Sequence, residues 1–442
     1  MITKIETNLK ENKFFNIHEN ISTQQLNDDE FELIICYPDI TYQTLIGFGG
    51  AFTESSGYVL SLLSDELKKN VLNDYFSQDG INYTICRTHI NSCDFSLSNY
   101  AYLNDKNIEK FDISHDKIYL IPMIKSALEI NPDIKLIASP WSPPAFMKDN
   151  NNMNNGGKLL NTYKQLWADY LARYVLEYKK EGINISYMTV QNEPNAVQAW
   201  ESCNFSPKEE ADFLQNYLFP TFKFNKLPIK FLVWDQNKER ILYRINTIYK
   251  IPNIAQIISG IAYHYYTGDH FNNLALTKEL CPELLLIHTE GCTGYSKNSK
   301  KDEIFNAELY AHDIIGDLNH GSNAYIDWNM ILDYKGGPNH KNNFCNAPIM
   351  TNKSNNGYTR LLTFYYIGHF SKYIKPGAKR IAHSSYTSKI ELTSFVNPDD
   401  SIVVVLLNKQ DSSLPYKLNI GNEIIVDTIP AHSIFTYIIE RN

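Results

Sequence analysis

Apolar and polar positions repeat along the chain from about residue 44 to about residue 330. Short apolar runs of strand length alternate with longer stretches whose apolar residues recur at helical spacing, the pattern of repeated strand–helix units. Eight runs are strand candidates: Thr44–Phe48, Tyr83–His89, Ile134–Ser139, Ser186–Gln191, Ile229–Trp234, Ile258–His264, Leu284–Thr289 and Ala324–Trp328. Eight such units predict an α/β fold, a (β/α)8 TIM barrel with long loops.

Capping signals show where several helices of this barrel begin. Ser64-Asp65-Glu66-Leu67 places a serine before two acidic residues, which is typical of a helix N-terminus. Ser206-Pro207-Lys208-Glu209 combines a serine N-cap with proline at the first helical position. Between them, Tyr163–Lys180 carries apolar residues at helical spacing, which predicts an amphipathic helix.

The two ends of the chain have a different pattern. Residues 1–43 are polar, with one strand-like piece at Phe31–Ile35. From about residue 379 the chain alternates in short strands such as Ser401–Leu407 and Ser433–Ile438, and Asn397-Pro398-Asp399-Asp400 has turn chemistry. We therefore predict that segment 379–442 forms a β-sandwich, that segment 1–43 adds its strand to it, and that segment 44–378 is the barrel.

Two of the predicted strands end on a glutamate. Glu193 follows the run that ends at Val190, and Pro194 stops the strand because proline has no N–H for the sheet. Glu290 ends the run Leu284–Thr289. By our count these are strands four and seven, and strand ends on one face of a barrel converge on one pocket. Two such carboxylates, one protonated and one ionised, indicate glycoside hydrolysis.

Composition narrows the function classes. The formal net charge is −8 without a long basic run, which disfavours nucleic acid as a partner. The seven cysteines are scattered without a Cys-x-x-Cys pair, so we expect free thiols in a reducing compartment and no zinc cluster. The first residues lack a signal-peptide pattern and no apolar run is long enough to span a membrane, so we expect a cytoplasmic protein, or a secreted one if a signal was trimmed.

Several longer motifs carry a family resemblance. They are Gly47–Thr53, Asn91–Ser96, Ala138–Pro144, Asn192-Glu193-Pro194, His288-Thr289-Glu290, Asp327-Trp328-Asn329, Gly336–Asn339 and Asn343-Phe344. Together and in this order, they resemble glycoside hydrolase family 30, the glucosylceramidase family, across nearly the whole chain. The resemblance implies a retaining, exo-acting β-glycosidase for β-glucosides, with no metal or organic cofactor. It leaves the oligomeric state open.

The resemblance also implies catalytic roles. Glu193 matches the acid/base of the family and Glu290 matches its nucleophile. Arg87 matches an arginine close to the nucleophile, and His264 and Tyr266 match a pair that borders the same carboxylate. Since a buried arginine needs a carboxylate partner, we expect Arg87 to keep Glu290 ionised.

The family resemblance also implies which residues bind the sugar. Asp94, Trp141, Trp328 and Asn343 match residues around the pocket for the non-reducing sugar. Asn192 matches the asparagine that contacts the sugar 2-hydroxyl. Taken singly, four of the matched residues have a structural explanation. Asp94 is typical of a turn and Trp328 of a hydrophobic core. Arg87 is compatible with a structural salt bridge, and His264 with a buried, hydrogen-bonded histidine.

Some features favour other functions. The loop after Pro194 is shorter than in animal lysosomal glucosylceramidases, where it helps to shape the leaving-group side, so both glucosylceramide-like substrates and small β-glucosides stay open. Tyr325 stands where those enzymes carry a tryptophan. β-1,6-Glucanases, β-xylosidases and β-fucosidases of the family share both glutamates. A carbohydrate-binding protein on an inactive barrel would have lost one glutamate, and both are present. The glycine-rich start is no dinucleotide fingerprint, since Phe52 stands at its third glycine position.

Overall fold

The computed structural model describes residues 1–25, 31–293, 303–421 and 423–441. Its centre is a closed barrel of parallel strands. In chain order they are Gly47–Phe52, Ile85–Ile90, Lys135–Pro140, Ile185–Thr189, Lys230–Asn237, Ile258–His264, Leu285–Glu290 and Ala324–Asn329. The predicted (β/α)8 fold is confirmed. The first strand begins at Gly47 and not at Thr44, because the residues up to Thr44 pair with the terminal sheet.

The α-helices surround the barrel. They are Glu54–Ser61, Asp65–Phe76, Leu120–Ile130, Lys164–Lys180, Pro207–Phe213, Phe219–Phe224, Ile241–Ile248, Phe271–Leu280, Glu303–Asn319 and Leu362–Ser371. Both predicted caps are confirmed. Ser64 accepts a hydrogen bond from the Leu67 N–H, and Ser206 forms a reciprocal capping box with Glu209.

Apolar side chains fill the inside of the barrel. Ile85, Ile137, Tyr187, Leu232, Ala262, Ile287, Ala324 and Ile326 form this cluster. The first strand packs very closely on the second, since a Cβ at Gly49 would lie 1.5 Å from the carbonyl oxygen of Ile85. Only glycine permits that approach. The inside of the barrel is therefore a packed core.

The terminal segments form one ten-stranded sheet. Its N-terminal strands are Ile2–Asn8, Lys13–His18, Gln24–Gln25 and Leu33–Thr44, and its C-terminal strands are Lys379–Ser385, Ile390–Val396, Ile402–Asn408, Leu414–Ile420, Glu423–Ile429 and Ser433–Ile439. Side chains from distant strands share one core, so the sheet folds over itself as the predicted sandwich. The N-terminal segment joins the sandwich as predicted, but with four strands where one was expected. Lys13–His18 is an edge strand held by pairing with Ile2–Asn8. It is half-buried up to Phe15 and exposed after it, so its side chains lack the regular alternation of a buried strand.

The sandwich packs directly on the barrel. Strand Ile402–Asn408 is buried along its whole length. Val403, Val405 and Leu407 join the large core that includes the barrel helices, while Val404 and Leu406 lie in the sandwich core. A small sheet of Ile331–Leu332, Ile349–Thr351 and Tyr358–Arg360 follows the last barrel strand. Among the described helices, none is both long and apolar enough to cross a membrane.

Candidate active site

Glu193 lies just beyond the fourth barrel strand. The Asn192 N–H donates to the carbonyl of Pro140 at 2.9 Å, and the Glu193 N–H donates to the carbonyl of Asp235 at 2.9 Å. These bonds hold the segment between its two neighbouring strands. Glu193 has φ of +46°, a left-handed conformation that is uncommon for a residue other than glycine. The backbone of Glu193 is thus held in place just after the fourth strand.

Glu290 ends the seventh strand, and hydrogen bonds fix both of its carboxylate oxygens. Arg87 donates from Nη1 to Oε2 at 2.6 Å, and the Tyr266 hydroxyl donates to Oε1 at 2.9 Å. The side chain keeps only 8% of its surface exposed. Glu290 is therefore an oriented carboxylate with a cation beside it, as a nucleophile requires.

Arg87 is completely buried and joins five barrel strands. Besides Glu290, its guanidinium donates to the hydroxyl of Ser139 at 3.0 Å, to Oδ1 of Asn192 at 2.7 Å and to Oδ2 of Asp235 at 2.8 Å. Burial lowers the pKa of Arg87, but the charges of Asp235 and Glu290 outweigh it and raise the pKa overall. Arg87 therefore carries a permanent charge at the centre of the site.

Asp235 is a site residue that the sequence reasoning missed. It follows Trp234 in the fifth strand with φ of +56°, and its Oδ1 accepts from the Thr289 hydroxyl at 2.6 Å. Burial raises the pKa of Asp235, yet Arg87 and His264 overcome this and hold the pKa well below its usual range. The sequence feature that points to Asp235 is its place directly after the apolar run Ile229–Trp234, at the end of a predicted barrel strand.

His264 connects Asp235 to Glu193. Its Nε2 lies 3.2 Å from Oδ1 of Asp235, and its Nδ1 lies 3.4 Å from Oε1 of Glu193, an ion-pair separation longer than a good hydrogen bond. Burial lowers the pKa of His264, but the carboxylates of Glu290, Asp235 and Glu193 together raise it to about 9. At neutral pH an imidazolium therefore faces Glu193.

Two tryptophans stack beside the carboxylates. The rings of Trp141 and Trp328 lie 5.3 Å apart at 17°, and the Arg87 guanidinium lies 4.6 Å from the Trp141 ring. Trp141 lines the cavity. Among the residues that the structure describes, Trp328 does not line it, and its ring packs against the ring of Trp141. The indole of Trp141 is thus held rigidly at the cavity wall.

Asp94 and Asn343 meet at the inner end of the site. Oδ2 of Asp94 accepts from the side-chain amides of Asn343 at 3.3 Å and Asn339 at 3.2 Å. Burial raises the pKa of Asp94 well above its ordinary value, and the negative charges of Glu290 and Glu201 add to the effect. Asp94 is therefore a polar group that can exchange hydrogen bonds with a neutral ligand.

These side chains share one cavity of about 650 Å³. Asp94, Trp141, Asn192, Glu193, Tyr266, Glu290 and Asn343 line it, while Arg87 and His264 lie beneath them as supports. Beyond Glu193 the cavity continues between Gln198, Trp200, Asn237, Tyr265, Phe305 and Leu309, which the sequence reasoning did not single out. Polar side chains such as Asp269, Asn306 and Asp313 also line this part, so the outer part of the cavity combines aromatic and polar groups.

A buried ion network lies behind the seventh strand, and one of its members, Asp313, also lines the cavity. His288, Asp313 and Asp317 bring ligand-type atoms within 4.8 Å of one another. Lys238 donates to both aspartates, at 2.9 Å in the case of Asp317. An ammonium group therefore already supplies the cation of this cluster.

The chain matches family models over most of its length. The model described as "Glycosyl hydrolase family 30 TIM-barrel domain" covers residues 45–374, and the one described as "Glycosyl hydrolase family 30 beta sandwich domain" covers residues 377–437. The first range agrees with the barrel and the second with the C-terminal strands of the sandwich, whose N-terminal strands lie outside both ranges.

Similar proteins carry related names. The chain is 34% identical to the putative glucosylceramidase 3 of Caenorhabditis elegans, over 90% of this chain and 80% of that protein. It is 30% identical to the lysosomal acid glucosylceramidase of Mus musculus, over 92% and 84%. The structure resembles that of SrfJ from Salmonella typhimurium (37% identity, TM-score 0.97) and that of the endo-β1,6-glucanase BT3312 (30% identity, TM-score 0.90), each over 100% of both chains. The chain is a glycoside hydrolase and belongs to glycosyl hydrolase family 30.

Proposed function

We propose that the protein is a retaining, exo-acting β-glycosidase that hydrolyses β-glucosides by double displacement. The supporting observation is the unequal environment of two glutamates at one cavity. Both oxygens of Glu290 are fixed by Arg87 and Tyr266, whereas Glu193 has 14% of its side chain exposed and contacts His264 at 3.4 Å. A fixed carboxylate suits attack, and a more accessible carboxyl group suits proton transfer.

Glu290 is the proposed nucleophile. Its ionised carboxylate attacks the anomeric carbon and forms a covalent glycosyl-enzyme while the leaving group departs. Arg87 and Tyr266 hold the two oxygens, so one of them is presented to the sugar without reorganisation. Asn192 reaches the same cavity from the fourth strand and is the proposed partner of the sugar 2-hydroxyl.

Glu193 is the proposed acid/base. In the first step it gives its proton to the departing glycosidic oxygen, and in the second step it takes a proton from the water that hydrolyses the intermediate. His264 holds this side chain in place from below. The cavity surface around Glu193 leaves room for the leaving group and then for water.

The inner end of the cavity is the proposed sugar site. Trp141 offers an indole face to the apolar face of a pyranose, and Asp94 and Asn343 offer groups that bind hydroxyls. Asp94 accepts hydrogen bonds from Asn339 and Asn343, so the segments after the second and eighth strands meet here, and we infer that they bound a site for a single sugar. We therefore propose cleavage from the non-reducing end, one sugar at a time.

An endo-β-1,6-glucanase is the second candidate. Two observations favour it: the resemblance to the endo-β1,6-glucanase BT3312 and the outer part of the cavity, where Trp200, Tyr265 and Phe305 could stack on further sugars. The same outer residues would also suit an apolar leaving group such as a lipid.

A substrate panel tests these proposals. It contains aryl β-glucosides, β-xylosides and β-fucosides, glucosylceramide, and β-1,6-linked gluco-oligosaccharides. Hydrolysis of β-glucosides with glucose as the only early product from an oligosaccharide supports the exo-β-glucosidase, while early release of longer fragments supports the endo-glucanase. Proton NMR of the first product gives the stereochemistry, and an inverted anomer would contradict double displacement.

We also propose that the enzyme works in a reducing compartment such as the cytoplasm. All seven cysteines are free thiols and all are buried. Measuring the activity of the native protein in cell fractions tests this.

A further inference from the structure

A buried carboxylate outside the proposed catalytic set lies on the loop that follows Glu193. Glu201 has only 1% of its surface exposed. Its Oε1 accepts hydrogen bonds from the Ser92 hydroxyl and from the Asn99 side-chain amide, the latter at 2.6 Å. Its Oε2 makes no hydrogen bond to a described residue and lies 3.5 Å from Nε2 of His340. An ionised carboxylate is costly to bury unless a cation or donor faces it.

The geometry of His340 identifies the partner. Nδ1 lies 3.2 Å from the carbonyl oxygen of Ser96, and because a carbonyl only accepts, Nδ1 carries a hydrogen. Without a second hydrogen, the lone pair of Nε2 would face the carboxylate of Glu201. A proton between the two atoms removes that repulsion and satisfies both buried groups.

The other titratable side chains that feel the charge of Glu201 are His89, Cys93, Asp94 and Lys148. Burial lowers the pKa of His89, whose Nε2 accepts from the Glu54 N–H, so its ring is neutral. The Lys148 ammonium group donates to the carbonyls of Met153 and Ser202, and within the part of the chain that the structure describes it makes no hydrogen bond to Glu201. His340 is therefore the group that faces Oε2 of Glu201 directly.

We propose that the buried contact between Glu201 and His340 is a latch that positions the sugar site. The latch joins three rim segments: 91–100 after the second strand, 195–203 after the fourth, and 333–347 after the eighth. This inference rests on the proposed function of the cavity. Glu201 and His340 are positioning residues, since neither is among the described residues that line the cavity.

The latch fixes the two segments that meet at Asp94. The backbone N–H of His340 contacts the carbonyls of Asp94 and Ser96, each at 3.2 Å. Asn339 and Asn343, on either side of His340 in the chain, donate to Oδ2 of Asp94. Opening the latch thus loosens the residues that hold the sugar. It leaves the two catalytic glutamates in place, because Arg87, Tyr266 and His264 hold them independently.

Steady-state kinetics on an aryl β-glucoside test this separation. His340→Asn keeps a donor near the Ser96 carbonyl but cannot reach Glu201, so we expect KM to rise about tenfold with kcat within about twofold. His340→Gln reaches further with a neutral donor and should bring KM back toward the wild-type value. If His340→Asn fails to fold, Glu201→Ala replaces it as the variant that opens the latch. His18→Asn is the matched control, since His18 faces Glu6 at 3.3 Å in the sandwich, far from the cavity.

A double-mutant cycle separates a latch from two independent roles. Removing either partner breaks the same contact, so Glu201→Ala combined with His340→Asn should raise KM no more than Glu201→Ala alone. If the two substitutions raise KM by factors that multiply in the double variant, the proposal is wrong. A fall in kcat with KM unchanged would overturn it as well.

Hydrogen–deuterium exchange provides a readout that does not depend on catalysis. Both single variants should exchange faster than the wild type in segments 91–100 and 333–347, while the control should not. Unchanged exchange in these segments refutes the latch even if the enzyme is active. Absence of any glycosidase activity in the wild type would refute the proposed function instead.

Discussion

The charge of His264 leads to a prediction that needs no knowledge of the substrate. His264 is buried between Asp235 and Glu193, within the field of Glu290, and its pKa is raised to about 9. The ordinary pKa of an unfolded histidine is about 6.5. The folded protein therefore holds this proton more tightly than the unfolded chain does.

The magnitude follows from this difference in pKa. A gap of about 2.5 units corresponds to about 3 kcal/mol of stability. Because the folded pKa of His264 is raised, the contribution is fully present below about pH 6.5. It declines as the pH rises and is lost once the pH passes about 9.

The assay compares the wild type with His264→Gln, which keeps a hydrogen-bond donor but cannot carry the charge. The apparent free energy of unfolding is measured by urea titration from pH 6 to pH 10. We expect the advantage of the wild type to shrink by about 3 kcal/mol across this range. His369→Gln is the control: burial lowers the pKa of His369 to about 3, so its proton plays no part above pH 7.

An advantage of the wild type that stays constant from pH 6 to pH 10 would refute the reasoning. It would mean that His264 is neutral in the folded protein and that Asp235 and Glu193 do not share a cation. A similar decline in the His369→Gln series would instead point to a general alkaline effect.

Three further predictions concern the remaining site residues. Arg87→Met should cost about 3–5 kcal/mol of stability and nearly all activity, because it leaves Glu290 and Asp235 buried without their cation; an active, equally stable variant in thermal melts and kinetics would exclude that pairing. Glu193→Ala should keep much of its activity on substrates with good leaving groups, and azide should rescue it with retained anomeric configuration; equal losses on every leaving group would mean that the role is misassigned. Asp94→Ala should lose far more activity on a β-glucoside than on a β-xyloside, which lacks the 6-hydroxyl group, as measured by kcat/KM; an equal loss on both would show that Asp94 does not read that side of the sugar.

The barrel could be predicted because its signals are local. Each strand is a compact apolar run, and caps such as Ser206 and Glu209 depend on residues close together in sequence. The N-terminal strands could not be predicted in the same way. Lys13–His18 is stabilised by backbone pairing with Ile2–Asn8, and its side chains carry little of the pattern that marks a buried strand.

The same contrast applies to the site. Glu193 and Glu290 stand at strand ends, where the barrel brings residues together whatever their spacing. Asp235 is hard to identify from the sequence, because its role depends on the ion pair with Arg87, which lies on a different barrel strand. The contact between Glu201 and His340 arises only when loops of distant strands meet, so it has no signature in either segment.

The central claim is that Glu290 forms a covalent bond to the sugar. A 2-deoxy-2-fluoro-β-glucoside with a good leaving group slows the second step, so the intermediate of a retaining enzyme accumulates. Peptide mass spectrometry of the trapped protein is the most direct measurement. We expect one added fluoroglucosyl group, on the peptide that contains Glu290. A label on a different residue, or turnover of the natural substrate to the inverted anomer without any label, would contradict it.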